Sequence, residues 1–172
     1  MSQAKNKVKW CLNKAKKEIA EGIKHRGLVE IEPDLDEAKN HIKKAEHNFK
    51  AVVLLEKSGF SDWSVSAIFY TIYHCFLGIT TKFGYESRNQ ECTIALIEYL
   101  KEQKKINLSN EIIEALKSVE QEEKEQKRAI ELREDFQYGT KTKIEDKTLS
   151  ELKGLCQKAI EETKKIIYNN KI

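Results

Sequence analysis

One proline, Pro33, and seven glycines in 172 residues leave this chain few means of turning sharply. Sheet proteins need turn residues every ten positions or so, and alternating strand–helix folds need glycine-rich connections. Neither is supplied, so the fold class is all-α. The length fits one domain, burying roughly 70% of its unfolded surface, which is enough to fold without a metal or a disulfide. With 40% apolar and 34% charged residues, the chain is charged but too apolar for disorder.

Apolar spacing divides the chain into six helices. The first, about Ala4 to Ile23, carries Val8, Leu12, Ala15, Ile19 and Ile23 on one stripe and lysines opposite. In the second, Asp34 and Glu37 form a capping box after Pro33, and Leu35, Ala38, Ile42, Ala45, Phe49, Val52 and Leu55 step toward Gly59. The seam from Ala38 to Leu55 also suits a dimer face. Ser61 caps a third helix ending at Gly84, whose apolar set wraps more than one face and predicts deep burial. Ser87 with Gln90 caps a fourth, reaching about Gln103. Ser109 opens a long fifth helix through Ile113, Leu116 and Val119. Residues Glu120–Arg128 are charged all round, leaving open whether that helix projects into solvent or is interrupted. The period returns with Ile130, Arg133 and Phe136 before Gly139, and Thr148 with Glu151 caps the last helix. Short links make this an up-and-down helical bundle, read as a basic N-terminal helix (residues 1–30) and a bundle over residues 31–172.

Trp63 to Thr81 is nineteen residues without a formal charge, about the minimum for crossing a bilayer. Its serines, threonines, tyrosines and histidine are too polar for lipid contact, so no membrane partner is expected. With no signal peptide, a cytoplasmic location and reduced thiols are the default. Cys11, Cys75, Cys92 and Cys156 are too scattered for zinc or redox-dithiol spacing. The Lys-, Glu- and Ile-rich, thermophile-like composition leaves room for a disulfide, with Cys11 and Cys156 as one pairing across the terminal helices.

Charge is uneven. Residues 1–26 hold eight Lys/Arg against Glu18 and Glu21, a net +6 in a chain of total +3, so the remainder carries −3. Lys9, Lys16 and Lys17 on that arm suit phosphate or RNA; a solvated Lys/Glu helix of thermophile type is the other reading. No glycine-rich phosphate loop, Gly-x-Ser-x-Gly elbow or His-Glu-x-x-His pair occurs. Glu37 with His41 and Glu46 with His47 miss di-iron spacing, so both histidines read as solvated or rim residues, and neither metal nor cofactor is expected.

Two segments carry candidate chemistry. In Phe69-Tyr70-Thr71-Ile72-Tyr73-His74, Tyr70 and His74 lie one turn apart on a shared face, either as a hydrogen-bonded core pair or facing a cleft. In Arg133-Glu134-Asp135-Phe136-Gln137-Tyr138, Arg133 recurs on the apolar stripe. It either pairs with a carboxylate, such as that of Asp135 or one from a neighbouring helix, or grips a phosphate bidentately.

Ala45-x3-Phe49, the Gly59-Phe60-Ser61 turn, the Phe-Tyr-x-x-Tyr-His helix and Arg133-x-Asp135-x-x-Tyr138 together resemble the HEPN domain (higher eukaryotes and prokaryotes nucleotide-binding) over about residues 35–168. The resemblance implies a helical bundle that forms a homodimer, so that two copies of the polar motif line one cleft. Many such proteins are metal-independent RNases, often toxins beside nucleotidyltransferase-like antitoxins, or parts of defence systems. Their signature is Arg, four to six residues, then His, with His moving a proton and Arg stabilising the phosphate. Here no histidine follows Arg133 or stands within seven residues after Arg88, and Tyr138 stands five residues beyond Arg133. A tyrosine hydroxyl of ordinary pKa is a poor base at neutral pH.

Three readings follow. The first is a dimeric nucleotide- or RNA-binding module with Arg133, Asp135 and Tyr138 in the cleft, His74 and Tyr70 as further members, and the basic helix adding phosphate affinity. The second is a metal-independent endoribonuclease using Arg133 with His74 or Tyr138. The third is a protein-interaction partner without nucleic-acid binding.

Overall fold

The computed structural model describes residues 2–117 and 129–169. The expected all-α bundle is what the chain forms. Seven helices occur among the described residues: α1 (Gln3–Ala20), α2 (Leu35–Lys57), α3 (Ser61–Lys82), α4 (Gln90–Glu102), α5 (Asn110–Glu114), α6 (Ala129–Tyr138) and α7 (Asp146–Tyr168). A feature not foreseen is a small antiparallel ribbon, β1 (Leu28–Glu30) with β2 (Tyr85–Ser87), in which Val29 opposes Glu86.

α3 is the spine, with α2, α4, α6 and α7 packed on it. Fourteen of its 22 residues are buried, among them Ile68, Ile72, Phe76 and Ile79. No helix is long and apolar enough to cross a membrane among the described residues; α3 is apolar because it is enclosed by helices. α2 starts where expected, with the Asp34 side chain accepting from Glu37 N at 2.8 Å, but the capping box is not reciprocal: Asp34 N donates to Thr81 O and the Glu37 carboxylate accepts from Asn40. Its seam residues Ala38, Ile42, Ala45 and Val52 are buried within the same chain, between α3 and α7. That seam is therefore consumed internally and is not free to form a dimer face.

Several expected boundaries shift. α1 stops at Ala20, and Ile19 and Ile23 are exposed. The residue before α3 is Phe60, and Ser61 is already helical; its Oγ instead accepts from Ile144 N, pinning the segment that leads into α7. Asn89, not Ser87, caps α4 by accepting from Cys92 N at 3.0 Å. Ser87 lies in β2, its hydroxyl 2.7 Å from that of Thr93. α7 begins at Asp146 after Glu145 rather than at Thr148. The helix opened by Ser109 spans only Asn110–Glu114, and the open question of continuity through Glu120–Arg128 lies outside the described residues.

The cysteines correct the sequence reading. Cys11 of α1 is joined to Cys92 of α4, with Cα atoms 5.8 Å apart; Cys75 and Cys156 are free and buried. Cys11 thus does not pair with Cys156, and the basic helix is stapled to the bundle.

Four helix ends share a left-handed residue two positions past the last helical one. α1, α2 and α3 are each followed by a glycine with left-handed backbone: Gly22 (φ +72°), Gly59 (φ +82°) and Gly84 (φ +79°). α4 ends in the same way, with Lys104 N donating to Lys101 O and Lys105 N to Leu100 O, both at 2.9 Å. The left-handed position there is held by Lys104, at φ +55°.

Candidate functional site

α6 lies across α3 through Ala129, Ile130 and Leu132, and that packing carries Arg133 onto the ring of Phe69. The guanidinium carbon sits 4.3 Å from the ring centroid, and the side chain is 19% exposed. Phe69 stacks in turn on Tyr73 (5.9 Å between centroids, 19° between planes) and meets Tyr70 edge-on at 5.2 Å. Tyr73 is held by its hydroxyl, 3.3 Å from that of Thr93. Burial lifts the Tyr73 pKa above the usual tyrosine range, while the Thr93 contact pulls the other way. The result is an aromatic shelf with a cation on top, an arrangement that holds a desolvated guanidinium by up to about 2 kcal/mol.

Arg133 lacks the strong carboxylate partner expected for it. Its one ion pair among the described residues is with its neighbour Glu134, at 3.9 Å, and not with Asp135. Its Nε–H is buried without a hydrogen-bond acceptor. An arginine fork presents five donors in a plane matched to phosphate, and part of this fork is unused. Asp135 and Tyr138 follow on the exposed end of α6, Tyr138 80% exposed. Tyr70 is 46% exposed on α3, and Trp63, two turns earlier on the same face, is 62% exposed.

His74 does not join this group within one chain. Five residues beyond Phe69, it is turned by about 140° and raised by about 7 Å on the helix, which directs it to α2. There its Nδ1 lies 3.0 Å from Nδ1 of His41. The expected Tyr70–His74 pair is replaced by a His41–His74 pair, and His41, expected to be solvated or at a rim, is half-buried. Close approach of α2 is permitted by Gly78, one turn on, where a Cβ would meet Ala38 O at 3.1 Å and Ile167 Cδ1 at 3.0 Å.

Burial, then the facing His41 and nearby Lys44, pull the His74 pKa down to about 4; burial lowers that of His41 against the pull of Glu37. One neutral ring must donate to the other. Because both folded pKa values lie below the ordinary 6.5, the unfolded chain takes up protons first as pH falls. The pair's contribution is therefore complete above about pH 6.5 and is lost progressively toward pH 4. The expected result is a melting temperature that falls over that window less steeply in His74→Gln than in wild type, measured side by side. The half-exposed site makes the difference shrink with added salt.

The lysines of α1 lie elsewhere. α1 packs on α4 and β1 through Val8, Cys11 and Ala15, turning Lys9, Lys16 and Lys17 to solvent. Lys7 and Lys14 flank Trp10 at 4.7 and 5.3 Å. Sequence reasoning missed Phe69 as the seat for Arg133, because a phenylalanine in an apolar helix reads as core. No group of three or more potential metal ligands occurs among the described residues.

Compared with known families, residues 38–168 match the model of the HEPN domain. No curated protein matches the chain significantly.

Proposed function

The chain belongs to the HEPN domain family, and from that premise we propose that it is a nucleotide- or RNA-binding helical module whose phosphate contact is Arg133. The single observation that supports this most is the Arg133 guanidinium itself, stacked on Phe69 with its Nε–H buried and unpartnered. A cation in that setting gains more from an incoming phosphate than one already satisfied by a carboxylate. In this reading, Asp135, Tyr138 and Tyr70 line the approach to Arg133. The exposed Trp63 and Tyr70 face of α3 is the surface on which two copies meet. Residues 1–30 serve as an appended basic element, with Lys9, Lys16 and Lys17 adding salt-sensitive affinity, and residues 31–172 form the module.

Binding without efficient cleavage is favoured over the nuclease reading. His74 faces His41 rather than Arg133, and a base with a pKa near 4 accepts a proton weakly in neutral solution. A toxin–antitoxin or defence role fits the family, and a nucleotidyltransferase-like partner would then be encoded next door.

The test is labelled single-stranded RNA incubated with the protein in EDTA, read both by gel shift and for products. Wild type is expected to shift the RNA at low salt and leave it intact. Arg133→Ala, checked for folding by circular dichroism, should weaken the shift by about tenfold or more. Arg133→Lys should recover part of the loss, since lysine keeps the charge but not the fork. Unchanged binding by folded Arg133→Ala overturns the proposal. Products with 2′,3′-cyclic phosphate ends, lost in that variant, would replace it with the nuclease reading.

A further inference from the structure

We propose that the cavity where the C-terminal ends of α3, α4 and α7 converge is a second binding site, for a small molecule bearing clustered phosphates. The cavity has a volume of about 1050 Å³, and its wall contains five lysines (Lys82, Lys101, Lys104, Lys105 and Lys165) against one carboxylate, Glu162. It is distinct from the Arg133 site: Lys82 stands thirteen residues beyond Phe69 on α3, about 20 Å along the helix.

Two of the lysines have structural work. Lys82 donates from its Nζ to the carbonyls of Ile166 (2.6 Å), Ile167 (3.3 Å) and Asn169 (2.7 Å), closing the end of α7. Lys101 donates to Leu108 O at 2.5 Å and to the Asn110 side chain, holding the link after α4. Glu162 is occupied by Ser109, accepting from its N at 2.7 Å and its Oγ at 2.5 Å. Lys104, Lys105 and Lys165 are left with no carboxylate within 4 Å among the described residues. Lys117, Lys153, Lys158 and Lys164 each reach a carboxylate of another element, whereas lysines such as Lys43 and Lys50 on α2 are unpaired among the described residues but do not line this cavity. Lys104, Lys105 and Lys165 are exposed, and with no carboxylate to offset them their charges give the cavity mouth a net positive field that attracts anions.

Lys104 supplies an independent argument. Three other helices of this chain end with glycine in the left-handed position, whereas α4 holds a lysine there, at φ +55°. A side chain costs stability at such a backbone angle, and strain of this kind persists where the side chain has a use. Here the side chain lines the cavity. Phe83, Ile106 and Ile166 supply the apolar part of the lining.

The experiment is calorimetric titration of the full chain with sodium tripolyphosphate, adenosine triphosphate and adenosine, at low and moderate salt. Tripolyphosphate is expected to bind wild type, more weakly as salt rises. Lys104→Gly should lose about tenfold or more in affinity while its melting temperature rises by about 2–4 °C, because the backbone strain is relieved. Lys105→Gln should lose affinity without that rise. Equal affinities for the triphosphate and tripolyphosphate would mean that any oligophosphate serves; tighter binding of the nucleotide would put its base on the apolar part of the lining. Absence of binding by both phosphate probes overturns the proposal. So does unaltered affinity in both variants, or adenosine binding as well as its triphosphate.

Discussion

Replacing Cys11 and Cys92 together by serine lowers the melting temperature by about 10–15 °C, the largest change expected of any conservative substitution here. The bridge closes a loop of sequence separation 81, and denying that freedom to the unfolded chain is worth about 4–5 kcal/mol in the chain-entropy account. At about 2–4 °C per kcal/mol for a chain of this size, the shift follows. Both sulfurs are fully buried between α1 and α4, so the substitution also removes packed core atoms. Thermal unfolding with and without reductant gives the check. Wild type in reductant should approach the double serine variant, and the variant should not respond to reductant. A wild type insensitive to strong reductant, with free thiols counted at four after denaturation, would sink the disulfide.

The second large effect is at Lys82. Its side chain is 5% exposed, and its ammonium is spent on three carbonyls at the end of α7. Burial draws its pKa below the ordinary lysine range. The favourable field of a helix C-terminus keeps the charge tolerable there. Lys82→Ala both empties the stem's space and leaves those carbonyls without their donor, at a cost of about 2–4 kcal/mol. Lys82→Met fills the space without donating and is expected to recover about half of that loss. Denaturant unfolding of both variants measures it, and amide exchange should show the last turn of α7 opening first. Equal stability of the methionine variant and wild type would mean that the stem, not the ammonium, matters.

Helices were legible where sequence alone controls them. The three–four spacing of Ala38, Ile42, Ala45 and Val52 dictates which face of α2 is buried, and Gly59 and Gly84 mark ends because only local backbone geometry is involved. Capping was less legible: Ser87 is as good a cap residue as Asn89, and only pairing of β2 with β1 diverts its hydroxyl sideways. The ribbon itself has three residues per strand, too few to show alternation. Its strands meet because α1 and α4 are held together elsewhere. For Arg133, the sequence signalled a buried charge in need of a partner. It could not show that the partner is the ring of Phe69 on another helix, since any aromatic at core spacing looks alike. Likewise, His74 was identifiable as polar on an apolar helix, but its direction depends on the approach of α2 at Gly78.

The bridge between Cys11 and Cys92 also changes what the molecule is as a mechanical object. Pulled from its two ends, an intact chain cannot straighten the segment between the cysteines, because tension passes across the sulfurs instead. About 280 Å of contour length stays out of the force path, including β1, all of α2 and α3, and β2. Those elements can lose their structure under load, but they cannot lengthen the tether. In a stretching trace, reductant should therefore reveal one added extension of about that length, and nothing else in the chain can supply it.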